Sequence, residues 1–359
     1  MRDGAPQLQA YRIATAGPGS RAALAIACMI LILLAVLPAF AGRNLIQDLI
    51  FLFYMLALAQ CWNLLAGYAG LISVGQQAFV GLGGYILFAL TLLAGLDPLL
   101  AIPLAGVASA VFALPTALVV FRLRGAYFAI GSWVVAEVYR LVFAQFKGLG
   151  GGTGTSLVPS ITSNVLGIEW VKSMFDVRTP AARDIISYWA ALALMATTLG
   201  FVYVVLRSRR GLALGAIRDQ EAAAAGLGVD IYRLKLAVYV ATAAVTGMVG
   251  ALIYLQKARI SPDAAFSVLD WTAYVIFIVV IGGIGTIEGP LIGAIIFYLL
   301  QRYLADFGAW YLILLGTLAI TVMLFAPHGL WGFVAERYGV TLFPTRRRLV
   351  SGAGKGKGG

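Results

Sequence analysis

Charged side chains are scarce in this chain: they make up 11 % of its 359 residues, whereas a soluble domain carries about 25 %. Hydrophobic residues account for 61 %, so a water-facing surface of the usual polarity cannot be built from this composition. The sequence therefore excludes a soluble globular protein. It predicts a membrane protein, because several apolar runs approach the roughly 20 residues needed to span a bilayer.

Side chains that support covalent or metal chemistry are almost missing as well. The chain has one histidine, His328, and two cysteines, Cys28 and Cys61, which lie far apart within apolar runs. Such isolated residues provide no metal site, disulfide or catalytic triad, and no phosphate-binding loop of the GxxxxGK[ST] type occurs. The sequence therefore predicts a protein that is not an enzyme and binds no cofactor of its own.

Apolar segments that alternate with charged ones are the main feature of what is present. Ten candidate membrane helices lie near residues 22–41, 46–65, 77–96, 98–121, 127–146, 184–206, 236–256, 271–287, 290–305 and 310–326. Glycines interrupt the third and the eighth. The predicted fold is an all-α, polytopic membrane helical bundle of about ten transmembrane helices with broken or re-entrant segments, bounded by tails at 1–21 and 327–359.

Positive charge predicts the orientation of this bundle. Lys and Arg are about twice as frequent in the segments that share a side with the N-terminus as in those opposite. Both termini are therefore expected in the cytoplasm. The basic residues lie between apolar runs and form no aromatic-interleaved surface, so the net charge of +11 indicates contact with the lipid bilayer and no binding of nucleic acid.

The segment 207–235, which we call the charged loop, gathers nine charged residues in "RSRRGLALGAIRDQEAAAAGLGVDIYRLK". Asp219 is expected to cap or open a short helix over Glu221–Ala225, which Gly226 and Gly228 end. Small alanine side chains flanked by arginines suit docking into a groove of another protein. An amphipathic connector resting on the lipid surface is the alternative.

Two further sets of residues stand out within the predicted spans. Glu137 and Arg140 are spaced to form an intramembrane ion pair, which either orients the fifth helix or takes part in a pathway or gate. Gly285, Gly289 and Gly293 recur every four residues, as in helices that pack closely in lipid.

Uncharged polar side chains just before and at the start of the third predicted span indicate a route for a solute. Ser73, Gln76 and Gln77 lie among the glycines of residues 67–84. They supply either a passage for zwitterions or hydrogen bonds between packed helices.

The charged loop resembles the cytoplasmic coupling loop of ABC-importer permeases, and in particular that of the LivM-type branched-chain amino acid permeases. The pattern of that family is close to E-x-A-A-x-x-L-G-[VI]-[ND] followed by a basic residue. The matching residues are Glu221, Ala223, Ala224, Leu227, Gly228, Val229, Asp230, Arg233 and Lys235. The broader permease class has glycine six residues after the glutamate, where this chain has Leu227, so the likeness is to this one family.

Other segments resemble the same family in the same order. They are "GYAGLISVGQQAFVGLGGY", "RGAYFAIGSWVVAEVYRLV", "GGTGTSL" and "IGGIGTIEGPLIGA". The likeness runs from about Leu49 to Leu304 and adds Thr153, in the "GGTGTSL" loop, to the candidate pathway residues.

The resemblance implies a permease subunit of an ABC importer in the bacterial inner membrane, which moves branched-chain or related amino acids by ATP-driven alternating access. The implied partners are a homologous second permease, two ATP-binding cassette subunits that use the ATP, and a periplasmic solute-binding protein. The residues expected to couple to the ATPase are Arg218, Asp219, Glu221, Ala223, Ala224, Gly228 and Asp230. Urea, short amides or aromatic acids are alternative solutes, and a stand-alone channel or secondary carrier is an alternative mechanism.

Overall fold

The computed structural model describes residues 11–14, 18–326, 328–338, 343 and 348–351. Most of these residues are helical, as expected where no water is present to satisfy backbone N–H and C=O groups. The α-helices are α1 (Pro18–Val36), α2 (Arg43–Asn63), α3 (Gln77–Leu92), α4 (Pro98–Val120), α5 (Ala126–Ala144), α6 (Pro159–Ser163), α7 (Ile168–Phe175), α8 (Thr179–Arg207), α9 (Arg209–Asp219), α10 (Glu221–Gly226), α11 (Ile231–Lys257), α12 (Pro262–Ala265), α13 (Tyr274–Gly282), α14 (Glu288–Leu304), α15 (Ala309–Phe325) and α16 (Gly329–Tyr338).

Tighter and wider helical turns join some of these elements. Two π-helical turns, Leu64–Tyr68 and Leu269–Ala273, extend α2 and precede α13. Short 3-10 turns lie at Leu37–Ala39, Lys147–Leu149, Gly151–Thr153 and Ala305–Phe307.

Four short strands form two antiparallel pairs within the described residues. Strand β1 (Tyr11–Ala14) pairs with β4 (Arg348–Ser351). Strand β2 (Thr155–Ser156) pairs with β3 (Arg259–Ile260), which joins the connection that follows α5 to the connection that follows α11.

The predicted all-α polytopic bundle is confirmed. Each of the ten predicted spans overlaps one helix, namely α1, α2, α3, α4, α5, α8, α11, α13, α14 and α15. The helical stretches long and apolar enough to cross a membrane are Arg43–Tyr68, Pro98–Val120, Ala126–Ala144, Thr179–Arg207, Ile231–Lys257, Pro262–Gly282 and Trp310–Tyr338. Of the two spans expected to be broken by glycines, the eighth does stop early, because α13 ends at Gly282. The third does not, since α3 is continuous from Gln77 to Leu92, and the irregular residues 69–76 lie just before it.

Successive long helices run in opposite directions and define two sides of the bundle. The loop side carries the charged loop, together with the end of α4 and the start of α5. The far side carries the end of α5, the end of α11 and the paired strands β2 and β3. Most of the N-terminal tail predicted at 1–21 lies outside the described residues, while α16 falls within the C-terminal tail predicted from 327 onward.

Helix α2 forms the centre of the core. All residues from Phe53 to Asn63 are buried, and α2 packs against α8, α11, α13 and α14. Large aromatic rings fill the space around it, as in the contact between Phe53 and Tyr188, whose centroids are 5.4 Å apart. Because α2 is central, a displacement of its loop-side end affects the packing of these four helices.

Helix α11 packs closely against both α3 and α4. A Cβ atom added to Gly83 of α3 would lie 1.9 Å from the carbonyl oxygen of Gly247 in α11. A Cβ atom added to Gly247 would lie 2.1 Å from Oγ of Ser109 in α4. Because lipid provides no hydrophobic force between helices, such backbone proximity is how membrane helices gain van der Waals contact.

Candidate functional site

The charged loop folds into two helices, not one. Helix α9 begins at Arg209, where the Ser208 hydroxyl accepts a hydrogen bond from the Arg210 backbone N–H at 3.2 Å. Asp219 is the last residue of α9, and the extended Gln220 precedes α10 without a side-chain cap. The prediction that Asp219 caps or opens α10 was therefore wrong. The reason is that α9, which ends at Asp219, had not been recognised in the sequence.

Buried apolar side chains hold α9 against the bundle. Leu214 and Ile217 are both buried, and their spacing of three residues places them on one helix face. This spacing was the available signal for α9, although the surrounding arginines concealed it. The loop is therefore attached to the membrane helices through its first helix.

Helix α10 exposes its small residues. Ala224 is buried, whereas Ala223 and Gly228 are exposed, and Leu227 is 81 % exposed. Gly228 has a φ of 81°, which L-residues rarely adopt, and it ends the helical segment near where the sequence predicted. The exposed surface is smooth and apolar at its centre.

Ion pairs join opposite charges at the edges of the loop. Glu221 pairs with Lys235, the Asp230 carboxylate lies 3.0 Å from Nε of Arg233, and that of Asp219 lies 3.5 Å from Nε of Arg218. The side chains of these acidic residues are more than half exposed. Exposed pairs of this kind contribute little to stability, so they leave the surface of α10 charged at its rim and available to a partner.

Arg218 brings three of the predicted motifs together. Its Nη1 donates a hydrogen bond to the backbone carbonyl of Gly67, at 3.3 Å, in the π-turn that ends α2. A Cβ atom added to Gly285 would lie 3.0 Å from the same nitrogen. The charged loop therefore contacts the end of α2 and the turn 283–287, which joins α13 to α14.

Side-chain amides of α2 fix this turn. Asn63 Nδ2 donates to the Thr286 carbonyl at 2.7 Å, and Asn63 Oδ1 accepts from the Gly285 N–H at 2.8 Å. Gln60 Nε2 donates to the Ile287 carbonyl at 2.7 Å. The sequence interpretation missed Gln60 and Asn63, for which the signal was the presence of two amides in the otherwise apolar part of α2 after Asp48.

The glycines at 285, 289 and 293 fall into two groups. A Cβ atom at Gly293 would lie 1.9 Å from the Ile278 carbonyl oxygen, and one at Gly289 would lie 2.2 Å from that of Gly283, so both allow α14 to approach the end of α13. Gly285 lies outside the helices with a φ of 75°. Its role is to let the turn pass close to Gly67, not to pack two helices together.

The predicted pathway residues Ser73, Gln76 and Gln77 lie in the irregular residues 69–76 and at the start of α3, where they are buried. Trp62 Nε1 donates to the Ser73 carbonyl at 2.8 Å, and Gln76 Nε2 donates to the Leu58 carbonyl at 2.9 Å. The Thr272 hydroxyl donates to Oε1 of Gln77. Ser73, Gln76 and Gln77 are all buried, and in this conformation their bonds stabilise a stretch of backbone that has left the helical pattern.

Glu137 and Arg140 form an ion pair near the far-side end of α5. Arg140 Nε lies 2.8 Å from Glu137 Oε1, and Arg140 Nη1 lies 2.6 Å from Oδ1 of Asp263 on α12. The side chains are 45 %, 29 % and 81 % exposed for Glu137, Arg140 and Asp263. Asp263 was not recognised from the sequence, because its contact with α5 depends on the fold.

Thr153 lies apart from the other predicted pathway residues. It lines a cavity of about 470 Å³ on the far side, together with Lys257, Arg259 and Asp263. The Thr153 hydroxyl donates to the Gly150 carbonyl at 2.9 Å. The structure therefore separates the predicted site residues into a loop-side junction, a buried irregular segment and a far-side cavity.

The protein has interrupted membrane helices, buried amides that bind irregular backbone, and a two-helix loop on one side. These features are typical of a polytopic transport permease. The chain belongs to the family described as branched-chain amino acid transport system, permease component, whose model matches residues 44–326. The resemblance found in the sequence is thereby confirmed.

Individual relatives agree with this family. The chain is 29 % identical to the high-affinity branched-chain amino acid transport system permease protein LivM of Salmonella typhimurium, over 82 % of this chain and 77 % of that protein. It is 28 % identical to LivM of Escherichia coli, over 90 % of this chain and 81 % of that protein. It is 23 % identical to the probable branched-chain amino acid transport permease protein LivH of Methanocaldococcus jannaschii, over 72 % and 82 %. No solved structure matches the chain significantly.

Proposed function

We propose that this chain is the permease subunit of an ABC importer that carries branched-chain amino acids into the cell across the bacterial inner membrane. In this proposal the loop side faces the cytoplasm and the far side faces the periplasm. Two ATP-binding cassette subunits hydrolyse ATP below the membrane, and a solute-binding protein delivers the amino acid from above. The support is the family membership together with the loop-side junction.

The contact between Arg218 and Gly67 carries the mechanistic part of the proposal. Movement of an ATPase subunit bound to the exposed face of α10 displaces α9. Because Arg218 at the end of α9 is hydrogen-bonded to Gly67, the displacement of α9 also moves the end of α2. The same movement reaches α13 and α14, because Asn63 is bonded to the turn between them. A displacement in the cytoplasm is thus transmitted to the helices that surround the irregular residues 69–76, which gives alternating access without covalent chemistry in this chain.

A homologous second permease completes the pathway in this proposal. Ile130, Trp133 and Val134 form an exposed stripe on α5, and Glu137 lies on the same helix face one turn later. Lipid is an unfavourable environment for a half-exposed glutamate, so a protein surface or an aqueous path is the better partner for this stripe. Methanocaldococcus jannaschii has two relatives, named LivM and LivH, that both match this chain.

Exchange of the charges in the pair of Glu221 and Lys235 tests the docking role of the loop. Glu221→Lys and Lys235→Glu each remove the internal ion pair, and the double variant restores it with reversed charges. If an ATPase subunit recognises the charges at the rim of α10, the double variant should fold normally yet remain deficient in ATP-dependent uptake and in co-purification with the ATPase. Recovery of uptake in the double variant would reduce the pair to an internal contact and overturn the proposal.

The carrier mechanism and the solute are tested separately. Uphill uptake by proteoliposomes that contain this chain without ATPase subunits would contradict the ABC mechanism and favour a stand-alone carrier. Titration of the cognate binding protein with leucine, urea, short amides and aromatic acids identifies the solute, and we expect the branched-chain amino acids to bind most tightly.

A further inference from the structure

We propose that the far-side cavity is a receiving site for a zwitterionic α-amino acid, with the α-carboxylate at Lys257 and Arg259 and the α-ammonium at Asp263. The inference deepens the proposed function and rests on it for the solute class. It assigns to this chain a direct contact with the amino acid at the entrance of the pathway.

The cavity has the size and walls of a small-molecule site. Its volume of about 470 Å³ falls in the range of about 300–1,000 Å³ typical of such sites. One wall is the glycine-rich loop, which is held in place because Thr155 pairs with Ile260 in the strands β2 and β3. Gly154, with a φ of 78°, allows that loop to lie directly against the carbonyl of Ile260.

A second wall, which includes Tyr254 and Ala264, is held by hydrogen bonds. Tyr254 Oη and Trp271 Nε1 both donate to the carbonyl of Ala264, at 2.7 Å and 2.8 Å. These bonds fix the short helix α12, and with it Asp263, relative to the end of α11. A wall that is already fixed lowers the entropic cost of binding a ligand.

Two cations lie on the cavity without a carboxylate in direct contact, although Asp270 acts on Lys257 from a longer distance. The ammonium of Lys257 sits 4.8 Å from the ring centroid of Trp271 and 5.7 Å from that of Tyr254, so cation–π attraction holds it at the cavity wall. Neither Lys257 nor Arg259 forms an ion pair within 4.0 Å among the described residues. A carboxylate placed between them would gain charge-assisted hydrogen bonds.

Asp263 supplies the opposite charge on the same cavity. One of its oxygens accepts from Arg140 at 2.6 Å, and the side chain remains 81 % exposed, so the second oxygen is available to an ammonium group. Asp263 also repels anions that lack an ammonium group. The combination of two cations and one carboxylate on one cavity therefore favours a zwitterion over a simple anion or a simple cation.

Ligand-detected saturation-transfer NMR on the purified full-length chain, with no ATPase and no binding protein present, tests this site. The probes are L-leucine, 4-methylpentanoate, which lacks the ammonium group, and 3-methylbutylamine, which lacks the carboxylate. We expect Lys257→Gln and Arg259→Gln to weaken the binding of leucine and 4-methylpentanoate by about tenfold or more, since a hydrogen bond to a charged group is worth about that factor. The binding of 3-methylbutylamine should stay the same or tighten, because a repelling positive charge is removed.

Asp263→Asn should have the converse effect: it should weaken the binding of leucine and 3-methylbutylamine, leave that of 4-methylpentanoate the same or tighter, and Asp263→Glu should restore part of the affinity for leucine. Lys172→Gln is the matched control, because Lys172 pairs with Glu169 away from the cavity and should change none of the three. Thermal unfolding of each variant checks its fold, and equal weakening of all three probes would show a purely structural role and overturn the inference.

Two further outcomes separate this inference from the proposed function. If the wild-type chain gives no saturable leucine signal while the assembled transporter retains ATP-dependent uptake, the receiving site is wrong and the transporter stands. If the Lys257 and Arg259 variants bind leucine normally but lose stimulation by the binding protein, the cavity is a protein-docking surface and the inference fails. If the three probes bind as expected and the chain also carries solute uphill without ATPase subunits, the receiving site is supported and the ATP-driven mechanism is refuted.

Discussion

Substitution of alanine for Gly83 tests whether backbone proximity between α3 and α11 stabilises the bundle. The added Cβ would lie 1.9 Å from the Gly247 carbonyl oxygen, whereas ordinary contact begins near 3.4 Å. The two helices must therefore separate by about 1.5 Å at this point, because the obstacle is backbone. Overpacking of this kind costs about 1–3 kcal/mol, against a gain of about 1 kcal/mol from the better helix propensity of alanine.

Gly200→Ala is the matched control for Gly83→Ala. Gly200 also lies within a helix, α8, but a Cβ atom there has no neighbour within 4 Å. The propensity gain is common to both variants, so the difference between them isolates the steric cost. We expect Gly200→Ala to be as stable as the wild type or up to about 1 kcal/mol more stable, and Gly83→Ala to be about 1–3 kcal/mol less stable than Gly200→Ala.

The assay is reversible unfolding in mixed micelles by titration with sodium dodecyl sulfate, followed by far-UV circular dichroism. Each free energy of unfolding is compared with that of the wild type under the same conditions. If Gly83→Ala proves as stable as Gly200→Ala, the close contact between α3 and α11 does not exist in the protein, and the role given to these glycines is refuted.

Three further predictions concern the junction and the far side. Asn63→Ala should lower the free energy of unfolding by about 1–3 kcal/mol, since it leaves backbone groups of the turn 283–287 unpaired. The control is Asn164→Ala at an exposed position. An equal loss of stability in Asn164→Ala would contradict the prediction. Arg218→Gln should retain co-purification with the ATPase but lose most ATP-dependent uptake, because the contact between the charged loop and Gly67 at the end of α2 is removed. The control is Arg210→Gln at an exposed position, which should keep uptake. Normal uptake in Arg218→Gln would refute the mechanical link between the charged loop and α2. Asp184→Asn should cost about 1–3 kcal/mol in the same unfolding assay, because buried Asp184 accepts hydrogen bonds from Arg43 at 2.6 Å and Gln47 at 3.0 Å, and an unchanged stability would show that these bonds contribute nothing.

The membrane helices could be located from the sequence because their signal is local. A run of apolar residues has few stable alternatives in lipid, so each of the ten predicted spans coincides with a helix. Glycine interruptions correctly indicated a break in the eighth span, where α13 ends at Gly282, but not in the third, where α3 is continuous. The boundaries were less accurate, because the π-turn Leu64–Tyr68 lengthens α2 beyond the predicted span.

The functional contacts could be predicted only in part, because they depend on the arrangement of distant segments. Asn63 and Gly285 are separated by more than 200 residues, and nothing in the local pattern of either indicates the other. Asp263 likewise reaches Arg140 across 123 positions. Glu137 and Arg140 were found because their spacing on one helix is sufficient to place them together.

The glycines of α11 also restrict how the bundle can move. Gly250 approaches the Val80 carbonyl oxygen as closely as Gly247 approaches Ser109, with each added Cβ at 2.1 Å. Helix α11 is thus in close contact on two sides, with the backbone of α3 and with the Ser109 side chain of α4, so a slide or rotation of α11 towards either helix requires that helix to move as well. It follows that these three helices travel as one rigid block during a transport cycle, and that the flexing must occur along the boundary between that block and the remaining helices.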